Sequence, residues 1–193
     1  MAFNSIDPTT SGLLFFDMLN AYFRGAPVAS QKKMEPIVNN CIRLRAAADE
    51  AGIPVFFAKA DHRSDGLDAV GLYSDTDMRL EPWTDPEHER FDARHTVSGN
   101  NWSGEVIDEL ALTDNDYIIP KHRWSAFYQT KLELSLRARG IATLLVCGGA
   151  VEIGIIATSF AARDLDFHQV IVRDACNAQR PAVGDMLMEE VFP

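Results

Sequence analysis

The chain has 193 residues, 47% of them hydrophobic and 24% charged, and a formal net charge of −10. This length and composition suit one globular domain, residues 1–193, with a single sizeable core. The acidic balance argues against nucleic acid or an anionic membrane surface as a partner, but leaves room for a local cationic pocket. No apolar run nears the roughly 20 residues needed to span a bilayer. The start, "MAFNSIDPTTSG", has neither the basic nor the apolar region of a secretory signal, so a cytoplasmic protein is expected.

Short apolar runs then alternate with amphipathic stretches. "GLLFF" (12–16) reads as a first buried strand. From Ser30 a helical period places Ile37, Cys41, Leu44 and Ala48 on one face and stops at Gly52. "IPVFFA" (53–58) reads as a second strand. Residues 61–101 are rich in Asp, Pro, Gly and His and have weak periodicity. Such a long irregular stretch, with Trp and Phe in it, is expected to be a folded excursion over an active site. A short helix is expected over 104–110 and a third strand over 117–120. Thr130 and Glu133 have capping-box spacing, which predicts a helix ending at Gly140. "IATLLVC" (141–147) is a fourth strand, 152–165 a helix, "QVIVRDA" (169–175) a fifth strand and 183–191 a last helix.

Continuous apolar strands alternating with helices predict a three-layer α/β/α domain. Its sheet is expected to be Rossmann-like and mostly parallel, of five to six strands, with helices on both faces. Such sheets bind ligands at the carboxyl ends of their strands. That rule selects Asp17, Lys121 and the turn "CGGAVEIG" (147–154). A carboxylate at the end of a buried strand is desolvated, which raises its pKa and suits it to proton transfer. A capping or loop aspartate is the plainer alternative. Lys121 can fix the ionisation of a neighbouring carboxylate or bind an anionic substrate, or it is a solvated loop lysine. The turn precedes a helix and can offer backbone N–H groups to an anion, or it is a connection that needs small residues. It holds no Ser, Cys or Thr between Gly148 and Ile156.

"FFDMLNAYF", "PKHRWSAFYQTKLELSLRARGI" and "LLVCGGAVEIGIIATSFAARDLDFHQVIVRDAC" together resemble the isochorismatase-like hydrolase superfamily. That group includes isochorismatases, nicotinamidases, N-carbamoylsarcosine amidase and ureidoacrylate or biuret amidases. The resemblance runs over about residues 12–192 and implies a hydrolase whose catalytic aspartate is Asp17 and whose lysine is Lys121. It implies oxyanion donors at the N–H groups of Ala150 and Gly154, and a non-proline cis peptide at Gly149–Ala150. It also places the family's nucleophilic cysteine at Gly154. Glycine cannot form an acyl-enzyme. Isochorismatases carry glycine there too, because an aspartate protonates the enol-ether carbon and water captures the cation. Other positions lean towards the amidase branch. Isochorismatases generally have a bulkier aromatic residue in place of Ala150 and a histidine in place of Glu152, whereas "AVE" is closer to the amidase "ATD". "ADHRSDGLD" (60–68) likewise resembles the amidase loop. The chain therefore cleaves a vinyl ether or related non-amide bond of a small polar metabolite, or it is an amidase-branch member for ureido, carbamoyl or amide compounds that has lost its cysteine. In the second case it is inactive or binds ligand only, unless residue 154 has been substituted. A purely structural role, with a cleft filled by side chains, is the third reading.

Of the cysteines, Cys41 and Cys147 lie in apolar stretches and are expected to be buried and inert. Cys176 lies where it could reach the cleft as a stand-in nucleophile, and Asp174 is assigned to holding a loop. None has CxxC spacing, so neither a disulfide framework nor a thiolate zinc site is predicted. Asp61 and His62 are adjacent, unlike the Asp-x-His of nicotinamidases, and His88 and His95 lie far along the excursion, so no metal or cofactor is expected. His62, Phe23 with its neighbour Tyr22, Trp124 and Phe127 are expected to contact substrate, core packing being the competing role for the aromatic residues. The resemblance further implies a homodimer or homotetramer. The family usually adds an edge strand beyond "EEVFP", hence the five-or-six-strand expectation.

Overall fold

The computed structural model describes residues 5–65, 68, 97–98 and 101–193. Most of the 61–101 excursion, with His88 and His95, lies outside the described residues. Among the described residues five strands, β1 (Ser11–Phe16), β2 (Val55–Ala60), β3 (Tyr117–Lys121), β4 (Thr143–Gly149) and β5 (His168–Asn177), form one sheet. Every pairing is parallel and the order is β3-β2-β1-β4-β5. The helices are α1 (Asn20–Phe23), α2 (Val28–Ala51), α3 (Leu132–Ala138), α4 (Ile156–Asp164) and α5 (Pro181–Met186).

Because side chains alternate across a strand, each strand feeds two cores. Leu13, Phe15, Val55, Phe57, Leu145 and Cys147 pack with Met34, Val38, Cys41 and Ala48 of α2. Leu14, Phe16, Phe56, Ala58, Leu144 and Val146 pack with Leu132 and Leu136 of α3 and Ala162 of α4. All six residues of β1 are therefore buried, as expected for a parallel strand covered on both faces. Pro120 can sit in β3 because that strand is at the sheet edge. The helix after β1 covers one face and the helix after β4 the other. Their connections part company at adjacent strands, which opens a crevice beyond the carboxyl ends of β1 and β4.

Two local features hold that geometry. Gly148 has φ +107°, and a Cβ there would lie 2.2 Å from the carbonyl oxygen of Phe16. Only glycine lets β4 come this close to β1. Arg45, buried on α2, reaches Asp116 at 2.7 Å and Asp49 at 2.9 Å, tying the helix to the approach of β3.

Several boundaries differ from expectation. Residues 104–110 are two short 3-10 turns, Trp102–Gly104 and Asp108–Leu110, because the chain between them bridges Leu19 through Val106 and donates from Ile107 to the Met18 carbonyl. The capping box does not close. Thr130 Oγ1 accepts from the Leu132 N–H at 3.2 Å, and Glu133 instead pairs with Arg137 at 3.0 Å. The helix expected over 152–165 begins as a π turn, Val151–Ile155, before α4. Likewise α5 runs on into a π turn, Leu187–Val191. Among the described residues no helix is long and apolar enough to cross a membrane.

Candidate active site

Asp17 is the first residue after β1 and has φ 48°, a left-handed conformation that aspartate tolerates better than most residues. Its N–H donates to the Ala58 carbonyl at 2.8 Å, and its own carbonyl accepts from Leu19 at 2.8 Å. This turn aims the carboxylate across β2 towards the end of β3. There Oδ1 accepts from the Ala60 N–H at 2.9 Å and Oδ2 from Lys121 Nζ at 2.7 Å. Asp17 is 8% exposed and Lys121 5%, so the pair sits in a largely dry floor. Burial raises the Asp17 carboxyl above its ordinary pKa, against the opposing pull of the Lys121 ammonium and of the hydrogen bonds from Lys121 and Ala60. The ammonium also lies 4.5 Å over the ring of Phe16.

Above this floor is an open cleft of about 1610 Å³, lined among others by Asp17, Lys121, Ala150 and Gly154. Among the described residues no side chain fills it, whereas a purely structural role predicts a filled cleft. Tyr22, Phe23, His62 and Trp124 line it; Phe23 is nearly buried, while Trp124 is exposed at the rim. Phe127 does not line it. Its ring stacks on Phe167, with centroids 5.6 Å apart, and packs with the core on the α3–α4 face. The reason is that Phe127 follows Ala126, whose N–H donates to Thr158 on α4, and so turns inward.

The Gly149–Ala150 peptide is cis, at the position the resemblance implies. The cradle is less open than expected. The N–H groups of Ile153, Gly154 and Ile155 all donate to the Ala150 carbonyl, at 3.3, 3.2 and 3.2 Å, so the Gly154 N–H already has an acceptor inside the π turn. Glu152 is absent from the cleft lining. Its carboxylate accepts from the Arg180 N–H at 2.7 Å and secures the loop before α5.

Neither Cys147 nor Cys176 is held as a thiolate. Cys176 reaches the cleft wall, but burial foremost, with Cys41 and Asp174 nearby, pushes its pKa up to about 12, so it stays a neutral thiol. Cys147 is fully buried and pushed up by the same cause. Asp174 belongs to β5 rather than to a loop, and its carbonyl accepts from Asn40 on α2 at 2.8 Å.

One cluster was not anticipated. Asp68 lies between two imidazoles, 3.3 Å from His62 Nδ1 and 3.5 Å from His122 Nδ1. Burial works to raise the Asp68 carboxyl, but the Arg63 N–H and His62 hold it below the usual range. One ligand atom from each of the three lies within 4.8 Å of the others, close enough to hold a metal ion. Adjacent Asp61 and His62 hid this capacity, because the partners come from Asp68 and from the segment after β3.

Residues 11–193 match the isochorismatase domain family. The chain belongs to the isochorismatase family. An uncharacterized family protein, YecD of Escherichia coli O157:H7, is 30% identical over 97% of this chain and 90% of its own length. A ureidoacrylate amidohydrolase, RutB of Acinetobacter baylyi, is 28% identical over 90% of this chain and 73% of its own. The solved isochorismatase family protein from Burkholderia thailandensis superposes with a TM-score of 0.76 at 25% identity, over 98% of this chain and 90% of that one. This isochorismatase-family chain is accordingly an α/β hydrolase. His122, Arg123 and Phe16 are among the cleft-lining residues not singled out from the sequence. The first two stand directly after Lys121 in "PKHRW" and were readable as strand-end residues; Phe16 was hidden among strand residues.

Proposed function

We propose that this chain hydrolyses a small polar metabolite by proton transfer from and to Asp17, with Lys121 setting the charge of that carboxyl and no bond formed between enzyme and reactant. The observation that carries the reading is the buried Asp17–Lys121 pair, 2.7 Å apart, on the floor of an open cleft whose nucleophile position, Gly154, has no side chain. For a vinyl ether the step balances simply. Protonated Asp17 gives its proton to the terminal alkene carbon, leaving an oxygen-stabilised cation. Water adds to the cationic carbon and returns a proton to the Asp17 carboxylate, and the hemiketal collapses to a ketone and an alcohol. A raised carboxyl pKa keeps more of the acid form available near neutrality.

A second reading is supported by the RutB relatives, ureidoacrylate amidohydrolases 25–28% identical to this chain. In it the cleft takes a ureido or carbamoyl compound and holds it without turnover. The experiment is a panel of isochorismate-type enol ethers, ureido acids and amides, followed for turnover and for ligand-induced thermal stabilisation. Turnover of an enol ether that disappears in Asp17→Asn supports the first reading. Stabilisation by ureido acids with no turnover of any compound supports the second and overturns the first.

A further inference from the structure

The seat at Gly154 is not vacant. A Cβ built on Gly154 would lie 2.1 Å from Cε1 and 2.3 Å from Cζ of Phe16. Real carbon atoms do not approach so closely, so any side chain at 154 must displace that ring. The ring has little freedom to yield. Phe16 is 1% exposed, is packed in the core on the α4 face, and carries the Lys121 ammonium over its own face at 4.5 Å. Its backbone is held as well, since the Phe16 carbonyl faces Gly148 at the closest approach of β1 and β4.

We propose that Phe16 is the specificity-determining partner of Gly154: its ring, which carries the Lys121 ammonium over its face, occupies the volume a nucleophile at 154 would need. The two residues form one packing unit from the ends of β1 and β4. A thiol cannot be installed by changing Gly154 alone, and the Gly154 change and the Phe16 change must be made together. What a reactant meets on this side of Asp17 is then an aromatic edge and an ammonium, which suits a carbon centre that accepts a proton and excludes attack from the enzyme. The inference rests on the proton-transfer reading for that consequence alone. Its test reads stability and thiol chemistry, so it can fail while that reading stands, and the reverse.

The test compares Gly154→Ala and Gly154→Cys in two backgrounds, the parent and Phe16→Val. In the parent, Gly154→Ala should lower Tm by about 5 °C or more, as overpacking of a tight core does in a chain of this size. In the Phe16→Val background the same change should cost about 2 °C or less, or raise Tm, a non-additivity confined to residues in contact. Gly154→Cys should be alkylated by iodoacetamide at least about tenfold faster in the Phe16→Val background than in the parent, read by mass spectrometry of the 154-containing peptide. If the parent-background variants do not fold, recovery of folded protein in the Phe16→Val background supports the proposal. Equal Tm losses in both backgrounds, equal alkylation rates, or failure of Phe16→Val to rescue folding would each overturn it.

Discussion

Lys121→Met isolates what the ammonium does for Asp17. The parent pair is 2.7 Å apart and both partners are more than nine-tenths buried. Removing a partner from a buried pair costs about 3–5 kcal/mol when the remaining charge must stay. Asp17 has an escape, because it can take up a proton. Its folded pKa already stands above the ordinary value through burial, and Lys121 is the largest influence pulling it down. Without Lys121 it must rise further. The sign follows from proton counting: above the unfolded carboxyl pKa of about 3.9 and below the folded value, the folded state holds a proton that the unfolded chain does not. Stability in that window falls as pH rises, by up to about 1.4 kcal/mol per pH unit. Between about pH 5 and about pH 7 the variant should therefore lose up to roughly 2.7 kcal/mol more than it would without this group, or about 5–10 °C in Tm. The parent should lose less over the same range, because its ammonium favours the carboxylate. Urea titrations followed by tryptophan fluorescence at three pH values, on the parent, Lys121→Met and Lys121→Met/Asp17→Asn, measure the slope. His62, which also lowers the Asp17 pKa, is common to all three. A Lys121→Met slope equal to the parent's, or one that persists in the double variant, would refute the argument.

Under the proton-transfer reading, kcat/KM should fall as pH rises through the raised Asp17 pKa, and the limb should move to higher pH in Lys121→Met; a limb that moves lower would contradict the assigned direction. Gly148→Ala places a Cβ 2.2 Å from the Phe16 carbonyl at φ +107° and should lower stability by about 3 kcal/mol or more in urea titration, disturbing Asp17 and Gly154 together. Asp116→Ala leaves the Arg45 guanidinium with Asp49 as its remaining carboxylate partner and should cost about 3 kcal/mol with no change in the pH profile of turnover. Cys176→Ser should leave turnover within about twofold of the parent, since a thiol with pKa near 12 supplies no thiolate.

What the chain announces on its own is the sheet and the two strand-end residues, Asp17 and Lys121, that meet at its edge. Runs such as "GLLFF" and "IATLLVC" are apolar at every position, and only a strand covered on both faces needs that. Strand ends then pick out Asp17 and Lys121, because parallel sheets place their ligands at carboxyl edges. Helix starts were read less well, since Thr130 and Glu133 found other partners and Ala150 drew three N–H groups into a π turn. Those choices depend on neighbours distant in sequence. The same holds for Phe127, which points to Phe167 across the core, and for the Asp68 carboxylate between His62 and His122. The decisive case is Phe16. In the sequence it is one more apolar strand residue and Gly154 is a missing side chain; only the crossing of β1 with the turn after β4 brings the ring within 2.1 Å of that empty position. Periodicity records which face a residue is on, and volume shared between two strands is decided by packing.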